Sequence, residues 1–136
     1  MSSCTLIPLA RPTFDVAAAQ KFFDSARSLL TEVGATINGP TSLVMTPEDT
    51  ASAEANLKSD EKLYILFNAS FADASAAVSL LSKVKGDVLL WSVREFGEVG
   101  DRLLLNSMCG SNLAAHALMN VGQSIRHIHG NANEPQ

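Results

Sequence analysis

The sequence predicts an α/β domain, a parallel sheet of about five strands layered between helices. Three observations carry this. Short runs rich in Leu, Ile and Val alternate with longer, alanine-rich amphipathic segments, the pattern of strand–helix–strand units. The run from Leu63 to Phe67 is apolar without a break, which suits a strand buried on both faces of a parallel sheet. With 136 residues, 46% hydrophobic and 18% charged, the chain has the length of one domain and enough apolar side chains for a core without disulfides.

The elements follow in order. Thr5–Leu9 reads as a first strand. Thr13 or Asp15 caps the next helix, whose face carries Phe22, Ala26, Leu29, Leu30 and Val33 at i, i+4, i+7, i+8 and i+11. Gly34 closes it, in the position where positive φ suits glycine. A second strand lies within Ala35–Met45, broken by Asn38-Gly39-Pro40, with its regular part at Ser42–Met45. Thr46 caps a helix with Pro47 at its first position and Glu48 and Asp49 in its first turn. That helix runs to about Leu57, and its weakly apolar face puts it at the periphery. Lys62–Phe67 is the central strand. A helix from about Asp73 to Val84 turns Ala77, Leu80, Leu81 and Val84 inward, and Asp87–Val93 is the next strand. Gly110–Val121 forms a small-residue helix with Leu113, Ala114, Ala117, Leu118 and Val121 inward. Ile125–Ile128 is a last short strand. Residues 1–130 make one domain, and 131–136 a polar tail. Right-handed crossovers and this length predict a flavodoxin-like strand order 2-1-3-4-5 in a Rossmann-like three-layer sandwich.

Composition narrows function. Ten basic against fourteen acidic residues give a net charge of −4, the wrong sign for a protein that tracks nucleic-acid phosphates. No stretch reaches the ~18–20 apolar residues of a membrane helix. The N-terminus lacks the basic region of a signal peptide. Two cysteines, Cys4 and Cys109, do not make a disulfide scaffold, and the chain reads as cytoplasmic and reduced. There is no GxGxxG, no GxxxxGK[ST] and no GxSxG, which removes dinucleotide, P-loop and hydrolase-elbow readings.

In such a sheet, ligands sit beyond the carboxyl ends of the strands at the switch point, here between strands one and three. Three loops meet there: 10–15, 68–73 and 92–98. Each holds an aromatic residue together with charged or amide groups, a mixture suited to sugars. Arg11, Phe14, Phe71, Trp91 and Glu95 are the candidates. Asp15 and Asp73 sit where ordinary N-caps belong, whereas Arg11 beside Pro12 does nothing obvious for a helix. Trp91 closes a buried run and reads equally as core. Cys109 opens a helix, where a thiol is either activated by the dipole or simply a small buried residue that, with Gly110, lets the helix approach the sheet. The second reading predicts slow alkylation. His127 and His129 fall on one face of the last strand; two ligands make a poor metal site, and no metal site is assigned.

The segments LARPTFD, NASFADA, LLWSVRE and LNSMCGSNLAAHAL, in this order and spacing, resemble the N-terminal domain of the L-fucose/L-arabinose isomerase superfamily, in its fucose-isomerase-like branch. The resemblance covers nearly the whole chain. It implies a Rossmann-like domain that reaches over a neighbouring subunit's active site in a homo-oligomer and contacts the sugar through Arg11, Phe14, Phe71 and the stretch from Trp91 to Glu95. It implies aldose–ketose isomerisation through an enediol, with Mn²⁺ polarising the carbonyl. The metal ligands and catalytic carboxylates come from later domains, so no catalytic residue is assigned here and the chain alone is expected to be inactive. Since it stops at Gln136, it reads as a domain fragment or a truncated product. The rival reading is a stand-alone flavodoxin-like module that binds a small molecule or a protein.

Overall fold

In the computed structural model, which describes residues 2–134, nine elements alternate: β1 (Ser3–Leu9), α1 (Val16–Glu32), β2 (Thr36–Asn38), α2 (Pro47–Ala55), β3 (Leu63–Asn68), α3 (Ser75–Leu81), β4 (Asp87–Ser92), α4 (Ser107–Asn120) and β5 (Ile125–His129). The strands form one sheet in the order β2-β1-β3-β4-β5, and every pair is parallel. This is the three-layer, flavodoxin-like sandwich that the alternating pattern predicts.

The unbroken apolar runs are sorted by the pleat, because successive side chains of a strand point to opposite faces. Leu6, Ile65, Phe67 and Trp91 turn toward Ala19, Phe23 and Ala26 of α1. Ile7, Leu9, Tyr64, Leu66, Val88 and Leu90 turn toward Ala53 of α2, Leu80 and Leu81 of α3, and Ala114 and Leu118 of α4. One face therefore carries one helix and the other carries three.

The second strand lies before the Asn38-Gly39-Pro40 break rather than after it. Thr36–Asn38 pair with Ser3–Thr5. Residues 42–45 contribute only an isolated bridge, Val44 to Leu9. Gly39, at φ +109°, passes so close to β1 that a Cβ there would stand 2.4 Å from the Leu6 carbonyl oxygen. Pro40 has no N–H to continue a ladder. The chain leaves the sheet at this point and touches it again only at the end of β1.

Helix faces also differ from those the periodicity predicts. Val33 is not inward: it is the C-cap of α1 and 71% exposed. Phe22 is only partly buried, and the buried line of α1 is Ala19, Phe23 and Ala26. The third helix is shorter than Asp73–Val84, at seven residues. The fourth begins at Ser107, not Gly110, and Leu113 and Val121 are exposed rather than inward. Its sheet-facing first turns are Ser107, Gly110 and Ser111, residues that an apolar periodicity cannot reveal. The segment after β5 folds back on the α1 side. Asn131 accepts the Arg94 N–H, Ala132 packs against the core, and Glu134 pairs with Arg94 at 3.0 Å. The last two residues of the expected tail, Pro135 and Gln136, lie outside the described residues.

Candidate functional site

The β1–α1 and β3–α3 loops stand side by side because their parent strands are neighbours. Their backbones are stitched together: Ala69 N–H donates to Leu9 O at 2.9 Å, and Arg11 N–H donates to the hydroxyl of buried Ser70 at 3.0 Å. Phe14 returns toward Arg11 through a turn closed by its own N–H, and Asp15 caps α1 by accepting from Ala18 N–H. These constraints bring three predicted residues into one cluster. The Arg11 guanidinium carbon lies 5.4 Å from the centre of the Phe71 ring, within the range of a cation–π contact. The Phe14 and Phe71 rings are 6.0 Å apart and tilted by 49°. Arg11 is exposed and both rings are half-buried. Among the described residues, Arg11 has no carboxylate partner.

Beside this cluster a cleft of about 350 Å³ runs between the end of β1 and the facing sides of α2 and α3; Arg11, Thr46, Glu54, Asp73 and Ser75 are among its lining. Asp73 lies just ahead of α3, whose N-cap is Ala74, and its carboxylate accepts from the N–H and the hydroxyl of Ser75. Those bonds, with a smaller contribution from Arg11, hold the Asp73 carboxyl below its ordinary value. The cleft therefore offers the Arg11 guanidinium and a fixed Asp73 carboxylate, while Phe14 and Phe71 stand beside it and not in its lining. A second cleft of similar volume lies between the 38–44 segment and α2. Its polar side chains are largely occupied: Asn38 by Glu61, and Asp49 by the N–H groups of Met45 and Thr46.

Trp91 and Glu95 are not in the cluster. Trp91 is 6% exposed, stands edge-on to Phe67 at 5.2 Å, and gives its indole N–H to Gly130 O. Glu95 has turned its carboxylate onto its own loop, where it accepts from the N–H groups of Leu104, Leu105 and Asn106. The carbonyls of that segment in turn accept from the site: Leu104 O from Asp15 N–H and Leu105 O from Phe71 N–H at 2.7 Å. Glu95 thus positions the loop that braces both aromatic loops. Gly110 supports them from below, since a Cβ there would stand 3.1 Å from Phe71 Cα. Neither bracing role carries a local sequence signal, because each acts through backbone groups distant in the chain.

Cys109 is exposed, which corrects the packing reading: Gly110 alone makes the close approach. His127 and His129 share one face of β5, as their spacing predicts, and both rings reach the hydroxyl of Ser92. Burial, and to a lesser degree His129, push the His127 imidazole below its ordinary value. Among the described residues no three His, Cys, Asp or Glu side chains stand together in a way that could hold a metal ion. The Mn²⁺ that the resemblance implies does not fit here, because that ion prefers oxygen ligands and the paired histidines have no carboxylate partner among the described residues. Among the described residues no helix is long and apolar enough to cross a membrane.

No protein-family model matches the sequence. The chain is 30% identical over 129 residues to a protein from Priestia aryabhattai named sulfoquinovose isomerase, covering 94% of this chain and 29% of that relative. Proteins of the same name from Alkalicoccus urumqiensis and Clostridium sp. are 30% identical over 134 residues and 33% identical over 119 residues. They are covered over 30% and 26% of their lengths, against 98% and 85% of this chain. The chain thus spans less than a third of these relatives, which are named for sulfoquinovose and not for L-fucose or L-arabinose.

Proposed function

We propose that this domain contacts the sugar in an aldose–ketose isomerase of the sulfoquinovose-isomerase kind. The observation that carries the reading is the Arg11–Phe71–Phe14 cluster at the switch point of the sheet, in a chain whose similarity to proteins of that name runs over 94% of its length. Sulfoquinovose is a hexose bearing a sulfonate. A guanidinium presents five donors in a fixed fork, suited to vicinal hydroxyls and to sulfonate oxygens alike. Aromatic rings beside it suit the C–H face of a pyranose. In this reading the protein is cytoplasmic and works in a homo-oligomer, with Mn²⁺ and the acid/base carboxylates supplied by chain outside these residues. L-Fucose and L-arabinose remain the comparison sugars.

The test is a titration of the ¹⁵N-labelled chain with sulfoquinovose, followed by amide shifts. Saturable shifts confined to residues 10–15 and 69–73 are expected. Arg11→Ala should weaken binding about tenfold or more, since a charged hydrogen bond contributes ~1.5–3 kcal/mol. Because Arg11 is exposed and makes no ion pair among the described residues, the melting temperature of the variant should barely move. Shifts that fall elsewhere, that ignore Arg11→Ala, or that fail to appear at saturating sugar would overturn the assignment.

A further inference from the structure

At the far side of the sheet, three neutral donors converge on one hydroxyl. Ser92 ends β4, and its Oγ lies 3.0 Å from His127 Nε2, 2.8 Å from His129 Nδ1 and 3.7 Å from Met108 Sδ in the first turn of α4. The sequence separates these residues by up to 37 positions. Parallel pairing of β4 with β5 sets Ser92 level with His129 and His127 level with Leu90, while α4 lays Met108 over the same end. The Ser92 hydroxyl donates to Met108 Sδ and its oxygen has lone pairs for an N–H of each imidazole, so one serine gathers all three groups.

The spacing is close to that of atoms sharing a metal ion. Ligand atoms at ~2.0–2.2 Å (N, O) and ~2.3 Å (S) from one tetrahedral ion lie roughly 3.3 Å apart for N and O and roughly 3.6 Å apart for S and O. The separations here are within about half an ångström of those edges. The donors are two imidazoles, a thioether and a hydroxyl, none of them charged, and neither imidazole has a carboxylate partner among the described residues. Thioether ligands select soft ions, and imidazole accepts copper. Both histidines are exposed, Met108 is 36% exposed, and β5 is the edge of the sheet, so an ion has a way in. The geometry points to a cuprous-ion site formed by His127, His129 and Met108, with Ser92 at its base. It is independent of the sugar cluster, which lies between β1 and β3.

The experiment is an anaerobic titration of Cu(I) into the chain carrying Cys109→Ser, so that the exposed thiol does not compete, with a chromophoric cuprous chelator as referee. One equivalent should be withdrawn from the chelator, and X-ray absorption should show one sulfur neighbour. Met108→Leu, a near-isosteric change at a partly exposed position, should remove that sulfur and lower affinity about tenfold or more, as His129→Gln and His127→Gln should also do. His116→Gln, elsewhere on α4, should leave affinity unchanged. Melting curves check that each variant folds, and Met108→Leu suffices if His127→Gln does not. No copper held against the chelator, or binding indifferent to Met108→Leu, would overturn the site.

Discussion

Arg11 and Cys109 show how far a single residue can be read. Arg11 follows a strand in the sequence, and the structure sets its guanidinium against Phe71, with no carboxylate in ion-pair contact among the described residues. Cys109 has the same helix-start context that suggested packing, yet it faces outward, because the inward positions of that turn are Ser107 and Gly110. The two thiols therefore separate cleanly. Cys4 is 3% exposed, and burial followed by the nearby Glu61 carboxylate pushes its thiol up from its ordinary value. Only the thiolate reacts. Iodoacetamide should label Cys109 in the folded protein and leave Cys4 untouched until denaturant is added. Equal labelling of both under native conditions, read by peptide mass, would contradict the burial pattern.

At the scale of elements, the break between β2 and the segment before α2 is decided by one close approach. Gly39 combines a positive φ with a carbonyl of β1 where its Cβ would be. Gly39→Ala should destabilise the protein by at least ~2 kcal/mol, the sum of backbone strain and a clash that backbone atoms cannot relieve cheaply. Gly34→Ala is the control: it shares the positive φ but meets nothing within 4 Å, so it should destabilise less. Urea denaturation of the two variants measures the difference. The fourth helix makes a related point. The Ser107 hydroxyl donates to Asn68 O and accepts from Val93 N–H, while Ser111 accepts from the Asn68 side chain. The helix is moored to the ends of β3 and β4 by hydrogen bonds as well as by apolar area.

Across the whole molecule, one buried carboxylate gathers three strands. Glu61, 7% exposed, accepts from Ser3 and Thr5 of β1 and from Asn38 at the end of β2, just ahead of β3. Burial raises its pKa, but the bonds from Ser3, Asn38 and Thr5 together outweigh it and hold the carboxyl below the ordinary 4.5. A lowered folded-state value means stability that is complete above the unfolded pKa and is lost as pH falls through the folded one. The acid limb of the stability curve should therefore begin near pH 4.5 and steepen below it. Glu61→Gln should lower stability at pH 7 by ~1–3 kcal/mol, since charged acceptors form the stronger bonds, and should flatten that acid limb. Melting temperatures of both proteins from pH 3 to pH 7 give the comparison, and parallel curves would remove Glu61 from the account.

The order of strands and helices, the central place of Leu63–Phe67, a cap for α1 at Thr13 or Asp15 and the Thr46 cap of α2 were legible in the sequence. Each depends on neighbours within a few residues: an apolar run, a side-chain oxygen three positions before an N–H, a proline at a first turn. The loop that carries Arg11 was legible as well, because the carboxyl ends of parallel strands follow from the alternation itself. What the tertiary structure decided lies between segments far apart in the chain. It put Phe14 and Phe71 against each other, turned Glu95 onto the loop that braces them, sank Trp91 into the core, and drew His127, His129 and Met108 to one serine. It also chose the first half of the β2 region, where the chain passes against Leu6. A periodicity records which side of an element is apolar, but it holds no information about which distant backbone comes within bonding distance. Only packing the layers fixes that.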